Sequence, residues 1–295
     1  MQFSRILCPI DFSTGSKHAM RHAVRIARET GASLVLAHSW YFPPIASPVD
    51  LPFPATLLQG VIDDSQRALD DAVKEVNEAG VRATGTLLSG PPWARIVEEL
   101  ERQPYDLCVL GTHGRTGLAR MFLGSVAGMV VRHAPCAVMT VRPEGEIAPF
   151  RHALVPTDFS VSAKTALDLA ATVVEPTGAI TLLHVIELPA VYPGGTLAVV
   201  AGEIDQHATA ALDLEIARIQ SRTKLAVIGR SQVGHPGAKT LALLEDDRTI
   251  DLVVMGSRGR TGLTRALLGS VAEKVVRHSH RPVLVTRTKD TVAPG

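Results

Sequence analysis

The chain contains two copies of one sequence unit, and this repeat limits its fold more than any other feature. Residues 109–133 and 254–278 are identical at 17 of 25 positions, at an offset of 145 residues. Near the start of each copy, the segment LCPIDFS at 7–13 returns as LVPTDFS at 154–160. A period of about 145 residues is too long for a solenoid and matches the size of one domain. The 295 residues therefore predict two similar domains, at 1–143 and 150–288, joined by a linker at 143–150.

Within each copy, short apolar runs alternate with stretches of helical periodicity. Strands are predicted at 6–10, 33–38, 81–88, 107–110 and 136–141, and helices at 16–30, 57–79, 92–102 and 124–133. The second half repeats this order, with strands near 153–156, 180–186, 225–232, 252–255 and 283–286. Buried strands that alternate with helices are typical of parallel sheets covered on both faces. We predict an α/β protein with two tandem, doubly wound, parallel five-stranded sheets.

Composition and charge exclude several classes of protein. The net charge is +1, and it is balanced in both halves of the chain, so we expect no nucleic-acid partner. No signal peptide is evident, and no apolar run approaches the ~20 residues that span a bilayer, so we expect no membrane partner. The three cysteines show no C-x-x-C spacing and are predicted to be buried free thiols, which favours a cytoplasmic protein.

Each half carries the pattern G-x-x-G-x9-G-S between a predicted strand and a helix start. The pattern is formed by Gly111, Gly114, Gly124 and Ser125 in the first half, and by Gly256, Gly259, Gly269 and Ser270 in the second. Glycines allow the backbone to approach a ligand closely, and the N–H groups of a helix N-terminus favour an anion. The pattern is neither a Walker A loop nor a dinucleotide fingerprint. It indicates a phosphate-binding loop, although a glycine-rich corner without a ligand remains the alternative.

An aspartate ends the first strand of each half, at Asp11 and Asp158. An acid at this end of a parallel strand lies toward the usual ligand crevice. Its partner there is a ribose hydroxyl or a metal carried with phosphate. Capping of the following helix is a second role, and the two roles can coexist.

The P-x-D-F-S strand end, the second strand ending in histidine and the glycine pattern together resemble the universal stress protein family, over essentially the whole chain. The resemblance implies the strand order 3-2-1-4-5 in each domain and binding of ATP with Mg²⁺, without a metal site made by the protein alone. It also implies a homodimer or intramolecular pairing of the domains through the fifth strands. Other protein partners and the upstream signal are not specified by the sequence.

Carried over by position, the resemblance implies one set of nucleotide contacts in each half. In the first half the set is Pro9, Ile10, Asp11, Ser39, Leu110, Gly111, Gly114, Arg115, Gly124, Ser125 and Val126. In the second half it is Pro156, Thr157, Asp158, Val185, Met255, Gly256, Gly259, Arg260, Gly269, Ser270 and Val271.

The two sets differ in ways that bear on affinity. The resemblance implies that Ser39 contacts adenine through its backbone, and the second half has the more family-like Val185 at this position. His113 stands where the second half has Arg258. A neutral histidine attracts phosphate less than arginine does, so we predict that the second site binds ATP at least as tightly as the first.

Two readings besides an ATP-binding stress-response module remain open: a slow ATPase that uses the same sites, and an interaction protein without a ligand. Local sequence assembles no catalytic triad. His18 and His22 have a spacing compatible with a metal, but they are predicted to lie on an exposed polar face of the first helix.

Overall fold

A computed structural model of the chain describes residues 3–41, 55–112, 123–187, 197–259 and 268–287. The chain divides into two compact units, residues 2–147 and residues 148–295. Among the residues described, strands and helices alternate in both units, as predicted for an α/β protein.

The unit at 2–147 contains five strands and four helices in its described part. In chain order these are β1 (Arg5–Pro9), α1 (Thr14–Thr30), β2 (Ser33–Trp40), α2 (Ala55–Glu78), β3 (Ala83–Ser89), α3 (Pro92–Arg102), β4 (Leu107–Gly111), α4 (Ser125–His133) and β5 (Ala137–Val141). β1 pairs in parallel with β2 and β4, β2 pairs with β3, and β4 pairs with β5. The strands therefore lie in the order β3-β2-β1-β4-β5.

The unit at 148–295 repeats this arrangement. Its elements are β6 (Phe150–Thr157), α5 (Val161–Val173), β7 (Val174–Ile186), α6 (Leu197–Gln220), β8 (Ala226–Val233), α7 (Pro236–Asp246), β9 (Leu252–Gly256), α8 (Ser270–His278) and β10 (Val283–Thr286). All pairings are parallel and give the order β8-β7-β6-β9-β10, which is the order of the first unit.

The central strands form the core of each unit. Residues 107–110 of β4 and 252–255 of β9 are at most 3% exposed, because helices cover both faces of a parallel sheet. The predicted strands and helices are present, with ends that differ by a few residues. The largest difference is the start of β7, which lies at Val174, directly after α5. In the first unit the corresponding helix, α1, is instead followed by Gly31 in a left-handed conformation (φ 73°).

The helices that follow the first and the fourth strands begin in different ways. Ser13 caps α1 by accepting a hydrogen bond from the Ser16 N–H (3.2 Å), and Ser160 caps α5 by accepting one from the Ala163 N–H (3.2 Å). α4 and α8 instead begin after Gly124 and Gly269, and no side chain caps either helix.

The prediction that His18 and His22 lie on an exposed face is wrong. His18 is 7% exposed and His22 is 2% exposed, with the two rings packed edge to face 5.0 Å apart. Their apolar ring surfaces allow them to join the buried side of α1. Burial, together with the charges of Arg25 and His18, lowers the pKa of His22 to about 3.

None of the helices in the described part of the chain combines the length and the apolar character needed to cross a bilayer. Cys8, Cys108 and Cys136 are buried thiols that form no disulfide, as predicted. Burial raises the pKa of the Cys8 and Cys108 thiols, which keeps them protonated.

The burial of His22 makes the stability of the protein sensitive to acid. The native state keeps His22 neutral down to pH about 3, whereas the unfolded chain takes up the proton below about pH 6.5. We therefore expect the free energy of unfolding to fall less steeply between pH 6.5 and pH 4 in His22→Leu than in the wild type. Urea unfolding at several pH values measures both slopes, and equal slopes would contradict this expectation.

The two kinds of helix start predict different costs for the same substitution. Ser160→Ala removes the cap of α5 and should lower the free energy of unfolding by about 1 kcal/mol. Ser270→Ala is the matched control, because α8 has no side-chain cap, and its change should stay within about 0.5 kcal/mol. Urea unfolding at neutral pH compares the two variants. Equal losses of unfolding free energy would show that the Ser160 cap stabilises the protein no more than Ser270 does.

Candidate functional site

The first and fourth strands of each unit end side by side, at the point where the strand order reverses direction. β1 and β4 are parallel neighbours, so Asp11 and Gly111 come to the same edge of the sheet. β6 and β9 do the same with Asp158 and Gly256 in the other unit. The carboxyl edge at such a switch point is the common ligand crevice of open α/β sheets.

The glycine that ends the fourth strand packs against the helix that follows the first strand. A Cβ atom on Gly111 would lie 2.8 Å from the backbone oxygen of Gly15, in the first turn of α1. A Cβ atom on Gly256 would overlap the hydroxyl of Ser162, in the first turn of α5. Glycine is therefore required at both positions for close packing of helix on strand.

The chain that leaves the fourth strand returns to the same place before the next helix begins. The Gly124 N–H donates to the Thr112 carbonyl oxygen at 2.8 Å, and the Gly269 N–H donates to the Ser257 carbonyl oxygen at 2.9 Å. These bonds place the N-termini of α4 and α8 at the crevice.

The N-termini of α4 and α8 suit an anion. The first backbone N–H groups of a helix have no acceptor within the helix, and no side chain caps these two. Ser125 and Ser270 occupy the first helical position, and both are exposed. Phosphate oxygens are ordinary acceptors for such N–H groups and for a neighbouring serine hydroxyl.

The aspartates hold the turn that leads into the capped helices. Asp11 Oδ1 accepts from the N–H (3.1 Å) and the hydroxyl (2.5 Å) of Ser13, and Asp158 Oδ1 accepts from the Ser160 N–H at 3.0 Å. The helix cap itself is the serine, so the idea that the aspartate caps the helix directly needs correction. The side-chain bond two residues along the chain forms an Asx turn. In the second unit, a Cβ atom on Gly259 would lie 2.8 Å from Asp158 Oδ2, so the glycine loop passes beside the carboxylate.

A phenylalanine and a histidine pack together next to each aspartate, and the sequence alone marks both residues only as part of the family resemblance, without a role in the site. Phe12 and Phe159 have φ values of 64° and 63°, which bulky residues rarely adopt. Their rings lie 4.6 Å from the rings of His38 and His184, respectively. The signal available in the sequence was the repetition of D-F-S and of the histidine near the end of the second strand in both halves.

The predicted adenine side lies where the second strand ends. The Ser39 hydroxyl donates to the carbonyl oxygen of Gly90 at 2.8 Å, and the Gly90 N–H donates to the Trp40 carbonyl oxygen at 3.1 Å. Val185, at the corresponding position, is 9% exposed. The polar side chain of Ser39 is thus engaged within the first unit.

The described members of each predicted set lie on the elements that meet at the carboxyl edge. In the first unit these are Pro9, Ile10, Asp11, Ser39, Leu110, Gly111, Gly124, Ser125 and Val126. In the second unit they are Pro156, Thr157, Asp158, Val185, Met255, Gly256, Gly259, Gly269, Ser270 and Val271. The predicted contacts Gly114, Arg115 and Arg260 lie outside the described residues.

Within the ranges that the structure describes, no group of three or more His, Cys, Asp or Glu side chains could hold a metal ion.

Comparison with known proteins gives the same family for both halves of the chain. The universal stress protein family profile matches residues 2–142 and 149–287. The chain is 36% identical over 143 residues to universal stress protein MJ0531 of Methanocaldococcus jannaschii, covering 48% of this chain and 82% of that protein. It is 29% identical over 303 residues to universal stress protein Rv2623 of Mycobacterium tuberculosis, covering 96% of each.

A solved universal stress protein from Archaeoglobus fulgidus shares the fold, with a TM-score of 0.73, 23% sequence identity and 98% of each chain covered. The family profile matches twice and together spans nearly the whole length. The chain therefore belongs to the universal stress protein family and carries the family domain twice in tandem.

Proposed function

We propose that each unit binds one ATP, with Mg²⁺ carried by the phosphates, and that the protein serves as a nucleotide-binding module in a stress response. The observation that carries the proposal is the start of α4 and α8. Each helix follows a glycine, Gly124 or Gly269, and no side chain caps its first N–H groups. Each helix start lies beside the strand that ends in the first glycine of the G-x-x-G-x9-G-S pattern. A helix start of this kind, at a switch point, offers N–H donors to phosphate oxygens.

In the proposed complex, different parts of the crevice hold the ribose, the adenine and the phosphates. The ribose lies against Asp11 or Asp158, and adenine lies beyond it along the end of the second strand, at Ser39 or Val185. The phosphates lie at the N-terminus of α4 or α8. The close approach of Gly259 to Asp158 supports this division, because it brings the phosphate loop beside the carboxylate.

Hydrolysis is the alternative function, and it needs a general base with a lone pair directed at the attacking water. Asp11 and Asp158 are the candidates for that base, and Oδ1 of each accepts a hydrogen bond from the turn that follows it. A cytoplasmic location and pairing through the fifth strands stay predictions.

A carboxylate at the start of α4 or α8 should block the proposed phosphate site without harming the helix. Acidic residues are favourable in the first turn, so Ser125→Asp and Ser270→Asp should fold normally. Each variant should bind one ATP per chain in titration calorimetry where the wild type binds two, and the double variant should bind none.

The alanine variants are the matched controls for this experiment. Ser125→Ala and Ser270→Ala keep the backbone N–H donors, so each should lose at most about tenfold in affinity at its own site, the value of one hydrogen bond. Unchanged binding of two ATP molecules by the double aspartate variant would reject the proposal. Mass spectrometry of the denatured wild type gives a further readout, since ADP that accumulates with time would favour the ATPase reading.

The single aspartate variants also compare the two sites. Ser125→Asp leaves only the second site intact, and the sequence of that site contains Arg258. Ser270→Asp leaves only the first site intact, which has His113 at the corresponding position. We expect the Kd for ATP of Ser125→Asp to be equal to or lower than that of Ser270→Asp at pH 7.5. Tighter binding by Ser270→Asp would show that the loop charge does not set the order of affinity.

A further inference from the structure

A histidine near the end of the second strand binds the backbone immediately before each aspartate. His38 Nδ1 lies 2.8 Å from the carbonyl oxygen of Ile10, and His184 Nδ1 lies 2.9 Å from the carbonyl oxygen of Thr157. A carbonyl oxygen only accepts, so Nδ1 carries the proton and donates in both units. The residue before the aspartate is thereby fixed to the neighbouring strand.

The same histidine ring also packs on the residue immediately after the aspartate. Phe12 and Phe159 hold positive φ values, and each ring lies 4.6 Å from its histidine ring. The left-handed backbone turns the phenylalanine onto the imidazole. A bulky residue keeps such a conformation only where the surrounding structure enforces it.

The aspartate is therefore held from both sides by one imidazole. Its preceding carbonyl is hydrogen-bonded to the ring, and its following side chain is packed against the ring. These two contacts leave little freedom in the backbone that carries the carboxylate. The bonds from Asp11 to Ser13 and from Asp158 to Ser160 then set the direction of the carboxylate itself.

The arrangement is the same in both units although the residues around it differ. Ile10 has an apolar side chain, whereas the hydroxyl oxygen of its counterpart Thr157 accepts a hydrogen bond from the Phe159 N–H at 3.0 Å. Ser16 donates its hydroxyl to the Ser13 carbonyl oxygen, whereas its counterpart is Ala163. The histidine contacts are thus retained while neighbouring stabilising contacts change, which argues for a role beyond general packing.

We propose that His38 and His184 are positioning residues that hold Asp11 and Asp158 in the orientation that recognises the ribose hydroxyls of the bound nucleotide. The proposal rests on the proposed nucleotide-binding function. It assigns to each histidine an effect on ribose recognition that is exerted through the aspartate, without contact between the histidine and the nucleotide.

The test isolates one site in the full-length chain. In a Ser125→Asp background, which leaves only the second site, His184→Asn and His184→Gln are compared with His184. Asparagine can place an N–H donor where Nδ1 stands, whereas the longer glutamine side chain places its amide near Nε2. Calorimetry gives the Kd for ATP and for 2′-deoxy-ATP, because an acid that binds the ribose separates these two ligands.

We expect His184→Gln to weaken ATP binding about tenfold, the value of one hydrogen bond, and to abolish the preference for ATP over 2′-deoxy-ATP. His184→Asn should stay within about threefold of the parent for both ligands, because it retains the donor. A merely structural histidine would lower the affinity for both nucleotides alike and leave their ratio unchanged.

Three results would overturn the positioning role: His184→Gln keeping the parent's nucleotide preference, the two variants losing it equally, or the parent showing no preference. Absence of ATP binding in both the parent and the wild type would instead overturn the proposed function. The mirrored variants His38→Asn and His38→Gln, in a Ser270→Asp background, repeat the test in the other unit. They decide the result if a His184 variant fails to fold.

Discussion

Each unit depends on the contact between the last residue of its fourth strand and the first turn of the helix that follows its first strand. The backbone of Gly111 approaches the Gly15 carbonyl so closely that a side chain would not fit, and Gly256 stands in the same relation to Ser162. This contact joins the first and fourth strands at their carboxyl ends through the helix as well as through the sheet. The aspartate, the glycine that ends the fourth strand and the start of the next helix are thereby brought to one edge.

The two helices of each unit that start at this edge differ in capping, and the difference sets which side of the crevice can bind an anion. α1 and α5 are closed by serine caps, which consume N–H donors and fix the turn that bears the aspartate. α4 and α8 follow glycine and have no side-chain cap, so their partial positive charge faces the crevice. Recognition of an anion can therefore be local, made mainly by backbone groups, which fits a chain with a net charge of +1.

Duplication has kept the backbone geometry of the site while the side chains around it have changed. Ile10 corresponds to Thr157, Gly15 to Ser162 and Ser39 to Val185, yet the same histidine-to-carbonyl and histidine-to-phenylalanine contacts occur in both units. The differences lie where they can alter affinity, at the loop and on the predicted adenine side. Under the proposed function, two sites of one architecture would in this way respond to different concentrations of ATP.

The sequence by itself determined the repeat, the α/β class, the order of strands and helices, the glycines at the ends of the fourth strands and the aspartates that follow the first strands. These follow from periodicity and from glycine and aspartate at strand ends, which are local properties of the chain. Only the tertiary structure decided that serine rather than aspartate caps α1 and α5, that His18 and His22 are buried, and that His38 and His184 hold the turn around each aspartate. The choice of serine over aspartate was set by the geometry of the turn, because both residues lie close enough to the helix start to cap it. The burial of His18 and His22 and the contacts of His38 and His184 depend on different elements packing together, and local sequence does not encode which partner a side chain will meet once the strands are aligned.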